Sequence, residues 1–154
     1  MSDDIRKTFW KKLADNPVLM VGLEANSDHS IPLSPQLDPD VSGKFWFYTN
    51  KDSRVADGGH AMAQFVSKDH DLYACIMGRL VEETDPAIID KYWSKMVAMW
   101  YDEGRDDPKL LMLRFELDDA EIWEADRKIG GLFKLLTGQK VDQKDIGRHA
   151  EIAL

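Results

Sequence analysis

Apolar and polar residues alternate along this chain in ways that divide it into short elements. Ile5, Phe9 and Leu13 fall four apart, which predicts an amphipathic helix over residues 2–14. Ser2 can cap it, and Asp3 and Asp4 suit its positive end. Asn16-Pro17 ends it. Val18 to Leu23 (VLMVGL) is a compact apolar run and reads as a buried strand. Ile31 to Leu37 predicts a weaker strand, broken by Pro32 and Pro35, and so an edge or bulged one. Phe45 to Thr49 (FWFYT) is strongly strand-like.

Ser53 to Val66 shows helical spacing at Val55, Met62, Phe65 and Val66, weakened by Gly58-Gly59. Leu72 to Val81 predicts a long strand in which Gly78 marks a bulge or a close approach. Asp85-Pro86 starts a helix, with Ile89, Trp93, Met96 and Trp100 as one apolar stripe, read as core or dimer interface. Leu111, Leu113, Phe115 and Leu117 alternate with Met112, Arg114 and Glu116, a strand with one wet face that Glu121 to Ala125 extends or pairs. Ile129 to Leu136 predicts a last short helix, stopped by Gly138. The expected fold is mainly β with peripheral helices, an antiparallel barrel of five or six strands. The elements do not alternate as a doubly wound sheet requires.

Composition narrows the function. A chain of 154 residues fits one domain, taken as residues 1–154, and 44% hydrophobic residues exclude a disordered one. Net charge is −8, and the densest basic stretch, Arg127 to Lys144, is interrupted by acids, so nucleic acid is not an expected partner. No apolar run approaches the ~20 residues of a membrane helix, and the N-terminus has no signal-peptide core. With Cys75 as the single cysteine, the expected location is the cytoplasm. Cys75 sits mid-strand among apolar residues and reads as a buried, inert thiol. His29, His60, His70 and His149 show no metal-site spacing, Asp102 to Asp107 lacks a calcium-loop pattern, and no Gly-x-Ser-x-Gly elbow occurs.

The candidate chemistry lies in Trp46 to Arg54. A strand ending at Thr49, a turn and a helix start near Ser53 would offer free N–H groups to a phosphate. Ser53 adds a hydroxyl and Arg54 a planar charged fork. The strand edge could hydrogen-bond a flat heterocycle, with Tyr48 or Trp46 against its face. By spacing alone the plainer reading leads: Ser53 caps a helix, Arg54 is a surface charge and the aromatics are core.

Phe47 to Arg54 (FYTNKDSR) resembles the flavin signature of pyridoxamine 5′-phosphate oxidases, FYTN followed after two residues by Ser-Arg-Lys. His29-Ser30-Ile31-Pro32-Leu33, Trp100 to Leu111, Glu121-Ile122-Trp123 and the 136–152 tail resemble bacterial general stress proteins of that group. The resemblance implies a six-stranded split barrel, a homodimer, and FMN at the subunit interface, with FAD as the second candidate. It implies a flavin-binding set of Ser30, Ile31, Leu33, Tyr48, Thr49, Ser53 and Arg54; the alternative reading of the apolar stripe adds Trp100, lining the pocket from the other subunit. Two residues depart from the pattern. Ile31 stands where the family has a flavin-facing arginine, and Val55 where the oxidases have a phosphate-gripping lysine. Weaker FMN affinity or a relaxed choice of flavin is therefore expected, with Lys51 as a possible substitute cation. Residues 123–128 hold no counterpart of the oxidases' pyridoxal phosphate site, so that reaction is not expected. The implied function is a flavin-dependent oxidoreductase acting on a small molecule the sequence does not identify, or a non-catalytic flavin-sequestering protein. A vestigial barrel without flavin is a third alternative.

Overall fold

A computed structural model describes residues 2–125 and 148–154. The helix expected at 129–136, the basic stretch and most of the tail fall outside them. The chain opens with helix α1 (Ser2–Asp15), whose Ile5, Phe9 and Leu13 are fully buried. Strands β1 (Leu19–Leu23), β2 (Ile31–Leu33), β3 (Pro35–Gln36), β4 (Lys44–Asn50), β5 (Gly59–Val66) and β6 (Leu72–Glu82) follow. Two short helices, α2 (Pro86–Lys91) and α3 (Lys95–Ala98), and a 3-10 turn (Gly104–Asp106) lead to β7 (Leu110–Glu124) and β8 (Arg148–Ala153).

All eight strands belong to one antiparallel sheet in the order β2-β1-β5-β6-β7-β4-β3, with β8 added to the far half of β7. The two ends of that order, β2 and β3, are consecutive along the chain, separated only by Ser34. The sheet therefore curls until its edges nearly meet, an antiparallel barrel with a split. The prolines explain the break. Pro32 and Pro35 have no N–H to donate to a ladder, so this segment leaves β1 and joins β4 rather than continuing as one central strand.

The barrel interior is filled by alternate residues. Phe45, Phe47, Ala61, Ala63, Phe65, Leu72, Ile76, Leu111, Leu113 and Phe115 point inward, and α1 adds its apolar face. Phe45 and Phe115 stack at 5.6 Å, and Phe9 meets Phe65 edge-on. Gly78 behaves as expected. The β6–β7 register shifts between Met77 and Gly78, and a Cβ at Gly78 would lie 2.4 Å from the Glu116 carbonyl oxygen. Asp118 is the extra residue, since Gly78 pairs with Leu117 and Met77 with Asp119. This reverses the alternation along β7. Odd positions through Phe115 face inward, but Ala120 and Ile122 do so beyond the bulge.

Several expectations are corrected. Residues 51–57 form successive turns and 59–66 a strand, so the helix expected from Ser53 is absent. Glycines cause the change: Gly58 and Gly59 both take positive φ, and a Cβ at Gly58 would lie 2.7 Å from the Leu80 carbonyl oxygen. The helix capped by Asp85 stops at Lys91, and a new cap at Ser94 begins α3. The stripe is not core beyond that point, because Met96 and Trp100 are 77% and 83% exposed, as is the neighbouring Met99 at 85%. Met112 is buried rather than wet. Cys75 is half-buried on the outer face, where burial, Glu121 and Asp119 push its thiol pKa up. No helix among the described residues is long and apolar enough to cross a membrane.

Candidate functional site

The split in the barrel places the sequence-predicted residues. β4 bonds to β7 through its odd positions, since the Leu117 amide donates to the Gly43 carbonyl and the Lys51 amide to the Lys109 carbonyl, in one register. In an antiparallel ladder the even positions then face the other edge. Trp46 meets Gln36 of β3 there, but β3 extends no further than its pairing with Phe47. The backbone groups of Tyr48 and the Asn50 amide thus line an edge that no strand among the described residues covers. On the other rim lies β2, paired with β1 on one side only.

Beyond Asn50 the chain turns. Ser53 donates its amide to the Asn50 carbonyl and Ala56 to the Ser53 carbonyl, while Ser53 Oγ accepts from the Val55 amide at 3.3 Å. No helix macrodipole acts here. An anion would meet single-turn amides, the Ser53 hydroxyl and two exposed cations, Lys51 and Arg54. The Arg54 guanidinium donates to the His29 carbonyl at 3.3 Å. That bond joins the 48–54 segment to the start of the 29–33 segment. Gly22 on β1 leaves room for Ser30, whose Oγ would lie 2.7 Å from a Cβ at that glycine. Ser30 and Ile31 are half-buried and Leu33 is buried, with Ile31 packed against the core.

The two departures have different structural meanings. Val55 is 1% exposed within the barrel core, so its side chain points away from the turn surface. A lysine there would have to bury its charge. Ile31 lies on the rim itself, half-buried and packed against the core.

The segment from α2 to the 3-10 turn covers the outer side of β4. Tyr48 donates its hydroxyl to the Ile89 carbonyl at 2.6 Å and meets Trp93 edge-on. Tyr101 donates to the Thr49 carbonyl at 2.6 Å. Burial pushes both phenols up to about 12. Trp46 stacks on Tyr92 at 4.8 Å and donates its indole N–H to Glu83. These contacts occupy the Tyr48 and Trp46 rings, so neither is open to a ligand's face as expected. Tyr48 offers backbone instead, whereas the Thr49 backbone, expected to contact the flavin, is engaged by β7 and by Tyr101. Sequence reasoning missed Tyr101, Tyr92 and Glu83, which hold this cover in place. Trp100, beside Tyr101, projects outward and is exposed.

Residues 4–146 match the family described as pyridoxamine 5′-phosphate oxidase like. The chain belongs to that family. A 58-residue stretch is 33% identical to general stress protein 26 of Bacillus subtilis (strain 168), covering 38% of this chain and 41% of that protein. The match thus spans less than half of the curated relative. Among solved structures, a general stress family protein of Xanthomonas campestris pv. campestris is 39% identical, with a TM-score of 0.76 over 84% of this chain and 92% of its own. The general stress FMN/FAD binding protein of Xanthomonas citri is 38% identical, with a TM-score of 0.75 over 82% and 93%. Family membership and the split barrel agree, although the described residues hold eight strands where six were expected. The proline-broken segment counts as two, and β5 and β8 were not foreseen.

Proposed function

We propose that this member of the pyridoxamine 5′-phosphate oxidase-like family binds a flavin, FMN before FAD, across the split between β2 and the end of β4. The supporting observation is the bond from Arg54 to the His29 carbonyl, which brings two distant sequence segments to one rim. The Tyr48 backbone and the Asn50 amide suit the polar edge of a flat heterocycle, and Ser53, Arg54 and Lys51 suit a phosphate. Ser30, Ile31 and Leu33 form the opposite wall. When bound, the flavin supplies hydride or electron transfer to a small substrate, and the chain supplies position and charge. The similarity to the FMN/FAD binding protein of Xanthomonas citri supports the same reading.

The working unit in this proposal is a homodimer in the cytoplasm. The exposed Met96, Met99 and Trp100 suit a subunit contact that brings Trp100 of the partner subunit to the flavin. A non-catalytic flavin-sequestering role is the second reading. It is favoured by the apolar Ile31 on the rim, where the family pattern has a cation.

Titration with FMN should give saturable quenching of tryptophan fluorescence. Arg54→Ala should weaken it at least about tenfold, since a charge-assisted hydrogen bond contributes ~1.5–3 kcal/mol. Unchanged affinity in that variant would refute the phosphate assignment. Oxidation of NAD(P)H by the loaded protein would select the enzyme, and a bound flavin that never turns over would select the sequestering role.

A further inference from the structure

On the outer face of the sheet, away from the split rims, β7 and β8 bring together three metal-ligating side chains. Glu121 lies directly across from Glu151, and Trp123 directly across from His149. In such a pairing opposite residues share a face, so Glu121, Glu151 and His149 project to the same side. One donor atom from each lies within 4.8 Å of the others. His149 Nε2 is 2.9 Å from Glu121 Oε1, and the imidazole stacks on Trp123 at 5.2 Å and 16°. The stack fixes the plane of the ring, and so the direction of its nitrogen lone pair.

The two carboxylates face each other, and the His149 ring pairs with Glu121 but not with Glu151. Arg148 is engaged with Glu124 at 2.6 Å, and Glu151 has no ion-pair partner among the described residues. Directly opposed like charges destabilise a sheet. A cation bound between them would reverse the sign of that term. The bulge at Asp118 creates the arrangement, because it turns Glu121 and Trp123 outward after the inward run of Leu111, Leu113 and Phe115.

We propose that Glu121, His149 and Glu151 form a surface site for a divalent transition cation of the Zn²⁺ class. One imidazole and two carboxylates suit such an ion better than Ca²⁺ or Mg²⁺, which take oxygen donors alone. Donors around one ion at ~2.1 Å lie roughly 3.4 Å apart. The glutamates reach that spacing by rotamer adjustment, leaving a fourth position to water. Sequence spacing does not display the set, because its members come from two strands and are joined only by the β7–β8 register.

The test uses Zn²⁺ alone with the full-length, flavin-free protein, followed by calorimetry, and Co²⁺ followed by its visible absorption. One saturable ion per chain is expected. His149→Ala and Glu151→Gln should each weaken binding at least about tenfold, since even groups that only orient a ligand cost 10–100-fold. His60→Ala, on another strand, should leave it unchanged. Circular dichroism confirms that each variant folds, and Glu151→Gln at an exposed position is the conservative check. Absence of saturable binding, or binding that persists in both variants, would overturn the site and leave an ordinary His149–Glu121 ion pair. Neither result bears on FMN binding, which is measured separately.

Discussion

Glu83 is the residue whose removal should reveal most about how the cover over β4 is held. Its side chain is 8% exposed, and one carboxylate oxygen accepts both from the Trp46 indole N–H and from Arg114, each at 3.0 Å. Burial alone would raise its pKa, but these two bonds, the Asp85 amide and the Arg114 charge outweigh it and hold the carboxyl below its ordinary value. Glu83→Ala leaves a buried indole N–H without an acceptor and Arg114 with only the weaker contact to Glu116 at 3.3 Å. Breaking a buried pair costs ~3–5 kcal/mol. Arg114 can still reach water and Glu116, which places the loss at the low end, about 3 kcal/mol. For a chain of this size that corresponds to a fall in Tm of about 6–12 °C. Thermal unfolding and urea titration read it directly. Glu116→Gln, at an exposed position, should change stability by less than about 0.5 kcal/mol. A loss below about 1 kcal/mol for Glu83→Ala would refute the reasoning and show that the aromatic stacking alone holds the segment.

Asp38 accepts from the Tyr92 hydroxyl at 2.7 Å, and that bond, the Asp40 amide and Lys91 lower its pKa to about 2. A depressed carboxyl contributes stability above its unfolded value, and that contribution is lost as pH falls from about 4 toward 2. Asp38→Asn should therefore flatten the acid arm of a stability–pH curve, and an unchanged arm would contradict the assignment. Gly78→Ala should destabilise by about 2 kcal/mol or more in urea titration, because the new methyl meets the Glu116 carbonyl and the Phe115 ring. Tyr101→Phe removes the bond to the Thr49 carbonyl and should cost about 1 kcal/mol, with weaker FMN binding if the β4 end loosens.

The barrel was legible wherever apolar residues alternate with polar ones at full contrast. FWFYT and LYACIMGRLV carry large side chains, and both became strands where expected. β5 was not legible because its inward positions are Ala61, Ala63 and Phe65. Alanine registers weakly as core, so Val55, Met62, Phe65 and Val66 stood out and mimicked a helical face. Asp85 correctly announced α2, but nothing local revealed that Tyr92, outside the apolar stripe, would stack on Trp46 and bond Asp38. β8 was missed because Ala150 and Ile152 are its only inward residues. Motif resemblance singled out Tyr48 to Arg54 and His29 to Leu33, two segments that the Arg54–His29 bond joins. The phosphate argument from a helix start did not survive, since two positive-φ glycines follow at once. The even-numbered backbone edge of β4 depends on its register with β7 and is invisible in a sequence.

The measurement closest to the central claim is an FMN titration of the purified flavin-free protein, read by tryptophan fluorescence and by the visible flavin spectrum. The account predicts saturation at one flavin per subunit, with a perturbed flavin spectrum. No binding at roughly 100 µM FMN, equivalent to a free energy weaker than about −5.5 kcal/mol, would contradict it and mark the split as a site that no longer holds flavin.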